Sequence, residues 1–217
     1  MIVGQRKPVE EIAEMVKDVK KLVIGGCGTC VTISFAGGSK EVAELAAALK
    51  LKAKADGREI AIRELTPLRQ CEDEYTEPMR EDVEWADAVL SLSCGVGVQT
   101  LADLFPNARV LPGVNTMMLG SHSADREFKE YCGACGDCIL DETGGICPIV
   151  RCSKSMLNGP CGGSTGGKCE VSQDIDCAWD LIFKKLEALK RGEDWDAVKP
   201  ARDWRTSWHG GPRIVKQ

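Results

Sequence analysis

Cysteine is the residue type of this chain whose number and spacing could do chemistry. The 217 residues include twelve cysteines but only two histidines, His122 and His209. Thiolates alone can bind zinc or an iron–sulfur cluster, whereas most other zinc sites and non-haem iron sites need histidine. Six disulfides are the alternative, but the N-terminus lacks a secretory signal and a reducing cytosol disfavours disulfides. The composition therefore predicts metal sites built from cysteine alone.

The first four cysteines, Cys27, Cys30, Cys71 and Cys94, follow three predicted β-strands. In an open parallel sheet the loops after adjacent strands gather at one edge, where such folds bind ligands. We therefore predict that the four thiols converge on one [4Fe–4S] cluster or one zinc ion. In the alternative, Cys71 and Cys94 are buried packing residues, and only the pair in Cys27-Gly-Thr-Cys30 is reactive, as in a thioredoxin-like protein.

The other eight cysteines lie within the 46 residues 132–177. They are Cys132, Cys135, Cys138, Cys147, Cys152, Cys161, Cys169 and Cys177. A CxxCxxC run followed by Cys-Pro is typical of bacterial ferredoxins, although the third gap there is about three residues and here it is eight. Eight thiols are enough for two four-cysteine sites, and the spacing does not tell which thiols share a site. One cluster and one zinc ion fit the spacing as well as two clusters do.

Short apolar runs alternate with helical patterns over residues 21–119, which is typical of a parallel α/β unit. The fold class we predict is α/β: an N-terminal Rossmann-like parallel sheet, an irregular cysteine-rich metal-binding module, a helix and an extended tail. The predicted strands are residues 22–26, 59–65, 88–93 and, more weakly, 108–114. The first predicted helix begins near Pro8. The other predicted helices span 39–55, with Ser39 as the cap, about 97–105 and about 173–190.

We divide the chain into an α/β domain over residues 1–125, a cysteine-rich module with a C-terminal helix over 126–192, and a tail over 193–217. The module has almost no apolar periodicity before its helix, so it cannot build a conventional core. It needs metal sites to hold it together. The tail contains Trp195, Trp204 and Trp208 without helical or strand periodicity. These indoles must be buried on the chain itself or on a partner.

Charge and hydropathy exclude two classes of function. The chain has 28 Lys and Arg residues against 33 Asp and Glu residues, and the net charge of −5 argues against a nucleic-acid-binding protein. Because no apolar run reaches the length of a transmembrane helix, we expect no membrane span and a cytoplasmic location. Residues 162–168 nearly match a phosphate-binding loop, but Cys169 replaces the magnesium-binding hydroxyl. We find no acid–base or nucleophile–base constellation for substrate chemistry.

Four motifs in the cysteine-rich segment resemble a known family. They are Cys135-Gly-Asp-Cys138, Gly144-Gly-Ile-Cys147-Pro148, Asn158-Gly-Pro-Cys161-Gly-Gly163 and Gly167-Lys-Cys169-Glu170. Together they resemble the C-terminal domain family of methylenetetrahydrofolate reductases, found in acetogens and related anaerobes as a separate MetV-type small subunit. The N-terminal Gly26-Cys-Gly-Thr-Cys30 turn is similar to the rest of that small subunit.

The resemblance implies a partner, an FMN-containing TIM-barrel subunit that reduces 5,10-methylenetetrahydrofolate to 5-methyltetrahydrofolate. The chain itself would be a non-catalytic electron-transfer subunit, whose cysteines hold two or three [4Fe–4S] clusters and relay electrons to that FMN. Whether a further electron-donor subunit attaches stays open. Two other functions also stay open: a structural zinc-binding subunit that tethers the flavoprotein, and a stand-alone thiol redox protein that uses Cys27 and Cys30.

Overall fold

The structure is a computed structural model that describes residues 1–123, 125–196, 198–208 and 211–215. His209 and the last two residues of the predicted tail lie outside the described residues. The chain divides into two compact units, Met1–Met118 and Leu119–Gln217. The three-segment division, with boundaries after residues 125 and 192, stays a prediction. Within the described ranges, no helix has both the length and the apolar character that a membrane span requires.

The first unit alternates strands and helices. Its strands are β1 (Ile2–Arg6), β2 (Lys21–Gly25), β3 (Ala61–Leu65), β4 (Ala88–Ser91), β5 (Val110–Pro112) and the start of β6 (Val114–His122). Its helices are α1 (Val9–Met15), α2 (Cys30–Ile33), α3 (Ser39–Ala55), α4 (Asp73–Thr76), α5 (Arg80–Trp85) and α6 (Gly95–Leu104), with a 3-10 turn at Glu77–Met79.

A parallel sheet of four strands, in the order β3-β2-β4-β5, forms the centre of the first unit. Leu22 of β2 lies opposite Ile62 of β3 and Ala88 of β4, and β4 pairs in parallel with β5. Parallel neighbours need crossover connections, and the intervening helices provide them. The predicted α/β class with a Rossmann-like parallel sheet is therefore confirmed.

Two apolar clusters pack against this sheet. The first includes Leu22, Ile24, Leu90, Leu45 and Leu49. The second includes Val23, Val89, Met79, Val83, Leu101 and Phe105. Because successive side chains of a strand point to opposite faces, this division means that β2 and β4 are buried on both faces. Their carboxyl ends are thus rigid positions from which loops can present ligands.

Most predicted elements of this unit are confirmed, and α3 has the predicted bounds because its Ala- and Leu-rich sequence favours helix. The predicted cap is wrong. Gly38 precedes the first turn and its N–H donates to Glu41 Oε2 at 2.9 Å, so Ser39 is the first helical residue. The sequence did not predict β1, a five-residue strand in which only Val3 and Gly4 are buried.

The second unit has little regular structure. Besides the end of β6, it contains β7 (Phe128–Cys132), α7 (Pro148–Arg151), α8 (Ala178–Ala188) and 3-10 turns at Gly192–Trp195 and Trp204–Thr206. The end of β6 pairs with β7 in antiparallel orientation, with Gly120 opposite Glu130. A small apolar cluster contains Cys177, Trp179, Ile182 and Leu186, with Ile146, Cys152, Met156 and Trp195 packed against it.

Helix α8 is shorter than the predicted 173–190. Cys177 is its N-cap, and a β-bridge between Lys168 and Asp176 keeps the preceding chain out of the helix. Ile175 before the helix and Leu189 after it are 40% and 46% exposed. The buried face of α8 is therefore limited to Ala178, Trp179, Ile182 and Leu186.

Candidate metal centres

The first four cysteines lie at the carboxyl ends of three neighbouring strands. Cys27 follows β2, Cys71 follows β3, and Cys94 follows β4 as the N-cap of α6. Cys30 is the first residue of α2, on the same connection as Cys27. Because β2 lies between β3 and β4, the three loops emerge side by side at one edge of the sheet.

The Cys71 thiol is affected electrostatically by two other thiols of this set. Burial raises the pKa of the Cys71 thiol, and the neighbouring thiols of Cys27 and Cys94 raise it further. Cys27 is buried, and its Sγ lies 3.7 Å from Thr29 Oγ1 and 3.9 Å from the carbonyl oxygen of Leu68, on the loop that precedes Cys71. The structure thus brings Cys27, Cys71 and Cys94 together, with half-buried Cys30 three residues from Cys27.

A buried glutamine joins the first two loops. Gln70 directly precedes Cys71 and is fully buried. Its Nε2 donates to the carbonyl oxygens of Gly25 at 2.8 Å and Gly26 at 2.6 Å, just before Cys27. A buried amide must have partners, because an unpaired polar group costs about 1–3 kcal/mol. Gln70 therefore holds the start of the Cys71 loop against the end of β2.

The same side chain continues the network to the third loop. Ser91 Oγ donates to Gln70 Oε1 at 2.6 Å and lies 2.7 Å from Ser93 Oγ. Ser93 Oγ donates in turn to the carbonyl oxygen of Cys94 at 3.1 Å. One connected set of buried hydrogen bonds thus reaches from the residues before Cys27 to Cys94. The signal that sequence reasoning missed is the pair of serines inside the otherwise apolar strand pattern of residues 88–93.

Two glycines allow the close packing of this edge. A Cβ on Gly26 would lie 2.8 Å from Val42 Cγ2 and 2.9 Å from the carbonyl oxygen of Gly37. A Cβ on Gly97 would lie 2.6 Å from Ser93 Oγ. Both separations are too short for any side chain, so glycine is needed for the backbone to approach. The backbone at these two positions is therefore packed closely against its neighbours.

In the second unit, four cysteines line one cavity. The cavity has a volume of about 20 Å³, and its cysteines are Cys152, Cys161, Cys169 and Cys177. Two backbone hydrogen bonds position the last two, from the N–H of Cys169 to the carbonyl of Ile175 and from the N–H of Cys177 to the carbonyl of Gly167. The spacing of the eight cysteines did not show which of them share a site. The cavity places these four together.

The charged groups around this cavity leave its thiols, rather than its carboxylates, free to bind a metal ion. A hydrogen bond with Ser153 at 3.5 Å, assisted by the backbone N–H of Val171, lowers the pKa of the Cys169 thiol. The two carboxylates that also line the cavity are engaged by lysines, Glu170 by Lys154 and Asp176 by Lys168. A metal ion entering here would therefore meet sulfur rather than oxygen, which suits zinc or iron.

The remaining four cysteines lie near the start of the second unit. Cys132 ends β7 and accepts a hydrogen bond from the N–H of Ala134 at 3.4 Å. Cys135 and Cys138 follow on the same loop, and Cys147 is the N-cap of α7. All twelve cysteines of the chain are free thiols.

The thiols are grouped, but they are not at ligand separation. In the part of the chain that the structure describes, no three Cys, His, Asp or Glu side chains stand close enough together to hold a metal ion. The donor chemistry nevertheless fits thiolate-bound metal, since free thiols converge at the sheet edge and line the cavity. The assignment of metal ligands to the twelve cysteines stays a prediction.

The C-terminal resemblance is confirmed by comparison with protein families. Residues 111–205 match a family model described as methylene-tetrahydrofolate reductase C terminal. The matched range includes the last eight cysteines and all four C-terminal motifs. Searches of curated proteins and of solved structures found no match to the chain.

We predict that Gln70→Leu destabilises the first unit by about 3 kcal/mol, because it leaves two carbonyls and a serine hydroxyl without their buried partner. Hydrogen exchange at amides of β2 and β4 measures this loss. Gln99→Leu is the control, because Gln99 donates to the carbonyl of Gly95 on an exposed helix surface, and it should change stability by less than about 0.5 kcal/mol. Equal protection in the two variants would contradict the role of Gln70.

The cavity predicts which cysteines share a centre in the second unit. Cys161→Ser and Cys169→Ser should each remove the metal of the same site, so the double variant should lose no more metal than either single variant. Cys138→Ser combined with Cys161→Ser should lose two sites. Metal analysis of the purified variants tests this grouping. If the metal losses of Cys161→Ser and Cys169→Ser add up in the double variant, the grouping is wrong.

Proposed function

We propose that this chain is an iron–sulfur electron-transfer subunit of a methylenetetrahydrofolate reductase. The observation that carries the proposal is the match of residues 111–205 to the C-terminal family of that reductase, because the same residues contain eight free cysteines. The first unit adds Cys27, Cys71 and Cys94, whose loops meet at one sheet edge. Thiolates at this density are the ligands of iron–sulfur clusters in a reducing compartment.

We propose that the subunit does not itself transform a substrate. Every described carboxylate with a shifted pKa is shifted downward, as at Asp18, Asp87 and Asp176, by a hydrogen bond from a neighbouring donor. The strongest case is Asp203, where Arg205 lowers the pKa to about 2. A general acid working near neutral pH needs a raised carboxyl pKa instead. We therefore assign no catalytic residue to the chain.

The residues that would hold the metal groups are the twelve cysteines. A bound [4Fe–4S] cluster supplies one-electron transfer. The chain's own contribution is to position the thiolates. Gln70, Ser91 and Ser93 position the loops of the first unit, and the backbone N–H of Ala134 hydrogen-bonds a thiol in the second. Such hydrogen bonds to sulfur are one means by which proteins set cluster potentials.

We infer that the electron acceptor is the FMN of a TIM-barrel partner that reduces 5,10-methylenetetrahydrofolate to 5-methyltetrahydrofolate. Two tail tryptophans are exposed enough to contact this partner. Trp195 packs edge-to-face on Phe183, with ring centroids 4.9 Å apart, and belongs to the chain's own core. Trp204 and Trp208 are 37% and 69% exposed. Exposed tryptophans of this kind are frequent interface hot spots.

A zinc ion is the second candidate at one site. The cavity lined by Cys152, Cys161, Cys169 and Cys177 has a volume of about 20 Å³, which is close to the space of a single water molecule. Four thiolates suit zinc as well as iron. One structural zinc ion in the second unit, beside clusters elsewhere, is therefore the alternative, and with it the structural zinc-binding function.

Metal analysis tests the proposal. We expect chain purified without oxygen to be brown and to contain far more iron than zinc, with about one sulfide per iron, because [4Fe–4S] clusters contain equal numbers of both. At most one site should hold zinc. A colourless preparation from iron-replete anaerobic expression, with two or three zinc ions and no sulfide, would establish the structural alternative.

The tail provides a test of the partner. Trp208→Ala should weaken binding to the FMN-containing subunit about 30-fold, the consequence of losing about 2 kcal/mol at a hot spot. Val215→Ala serves as the control because it truncates another apolar tail residue, 79% exposed, of a type that is uncommon among hot spots. Titration of the two anaerobically purified subunits measures both affinities. Equal affinities would exclude Trp208 as an anchor.

A further inference from the structure

The tail of the second unit is bonded to the loop that carries Cys135. Nη2 of Arg202 donates to Cys135 Sγ at 3.1 Å and also to the carbonyl oxygen of Asp137. Thr206 Oγ1 donates to the carbonyl oxygen of Cys135 at 2.9 Å. Nη2 of Arg213 donates to the carbonyl oxygen of Ala134 at 3.2 Å. Three tail side chains thus bond residues 134–137 of the Cys132-Gly-Ala-Cys135-Gly-Asp-Cys138 loop.

A glycine of that loop makes the contact close. Gly136 has φ = +82°, a conformation that side chains disfavour. A Cβ at this position would lie 2.1 Å from the carbonyl oxygen of Thr206. The glycine between Cys135 and Asp137 therefore serves two purposes, since it permits both the turn of the loop and the approach of the tail.

The Arg202 guanidinium is a buried cation with little negative charge around it. Its side chain is 5% exposed, while its closest carboxylate, Asp137, is 61% exposed and lies 3.5 Å from Nη1. Arg202 Nε is buried and has no hydrogen-bond partner among the described residues. The Trp204 ring covers the guanidinium, with its centroid 5.2 Å away. A buried cation is stable only when it is well paired, and a neutral thiol gives it little.

We propose that Arg202 is a positioning residue for the metal centre to which Cys135 belongs, donating to its thiolate and stabilising the centre with its positive charge. The proposal rests on the proposed function, since it takes Cys135 as a metal ligand. A metal-bound thiolate would add a negative charge beside the buried guanidinium, whose carboxylate partner Asp137 is largely exposed. The hydrogen bond and the charge both favour the reduced, more negative form of a cluster, so Arg202 raises its reduction potential.

The variants Arg202→Leu and Arg202→Lys test this role in the full chain. Loss of such an outer partner lowers metal affinity by about 10- to 100-fold. Competition with a chelator should therefore strip one centre from Arg202→Leu about 10- to 100-fold more readily than from wild type. Arg202→Lys keeps the charge and should recover most of the affinity. Arg205→Leu is the matched control, because Arg205 is 87% exposed and pairs with Asp203.

An EPR-monitored redox titration gives the second readout. In Arg202→Leu the potential of one centre should shift to a more negative value, with a smaller shift in Arg202→Lys and none in Arg205→Leu. A merely structural tail contact predicts a lower melting temperature with unchanged affinity and potential, and that result would overturn the proposal. So would Arg205→Leu behaving like Arg202→Leu, or Arg202→Lys behaving like Arg202→Leu.

The outcomes distinguish a failure of this proposal from a failure of the proposed function on which it rests. If wild type contains zinc instead of iron, the electron-transfer function fails, and the chelator competition still tests Arg202. If wild type contains clusters and the Arg202 variants match it, only the role of Arg202 fails. A wild-type chain that binds no metal at all contradicts both.

Discussion

The arrangement of the first unit depends on the hydrogen bonds of one buried side chain, that of Gln70. Its amide bonds the carbonyls that end β2 and accepts from Ser91 of β4, while its own backbone leads into Cys71. An amide buried without water is stable only with all its partners in place. Any shift of one loop therefore breaks bonds to another, and Cys27, Cys71 and Cys94 are held at the same edge by this constraint.

In the second unit, different interactions hold the cysteines in place. Its apolar cluster is small, and Cys177 of that cluster and Cys152, which packs against it, also line the four-cysteine cavity. The core and the candidate metal site therefore share residues, among them Cys177, the N-cap of α8. In a unit with so little apolar burial, metal binding would contribute directly to folding. The Arg202 contact extends this principle to the tail.

Sequence reasoning succeeded where periodicity and residue type carry the information. The bounds of α3, the parallel strands and the position of the cysteines after those strands all follow from local pattern. The resemblance of residues 111–205 to the reductase C-terminal family followed from motifs such as Asn158-Gly-Pro-Cys161, and a family model matches the same residues. Contacts between residues that are far apart in the chain leave no such pattern in the sequence. The roles of Gln70 and Arg202 arise from partners that are 21 or more positions away in the chain, and the grouping of Cys152 with Cys161, Cys169 and Cys177 arises from a cavity.

The central claim is that loops joined by Gln70 present Cys27, Cys30, Cys71 and Cys94 to one metal centre. Metal and sulfide analysis of Cys71→Ser, Cys94→Ser and their double variant, purified without oxygen, tests it most directly. We predict that each single variant loses one whole centre, about four iron atoms for a [4Fe–4S] cluster, and that the double variant loses no more. Retention of all metal by Cys94→Ser, or a second loss in the double variant, would show that the Cys27 and Cys30 pair acts alone.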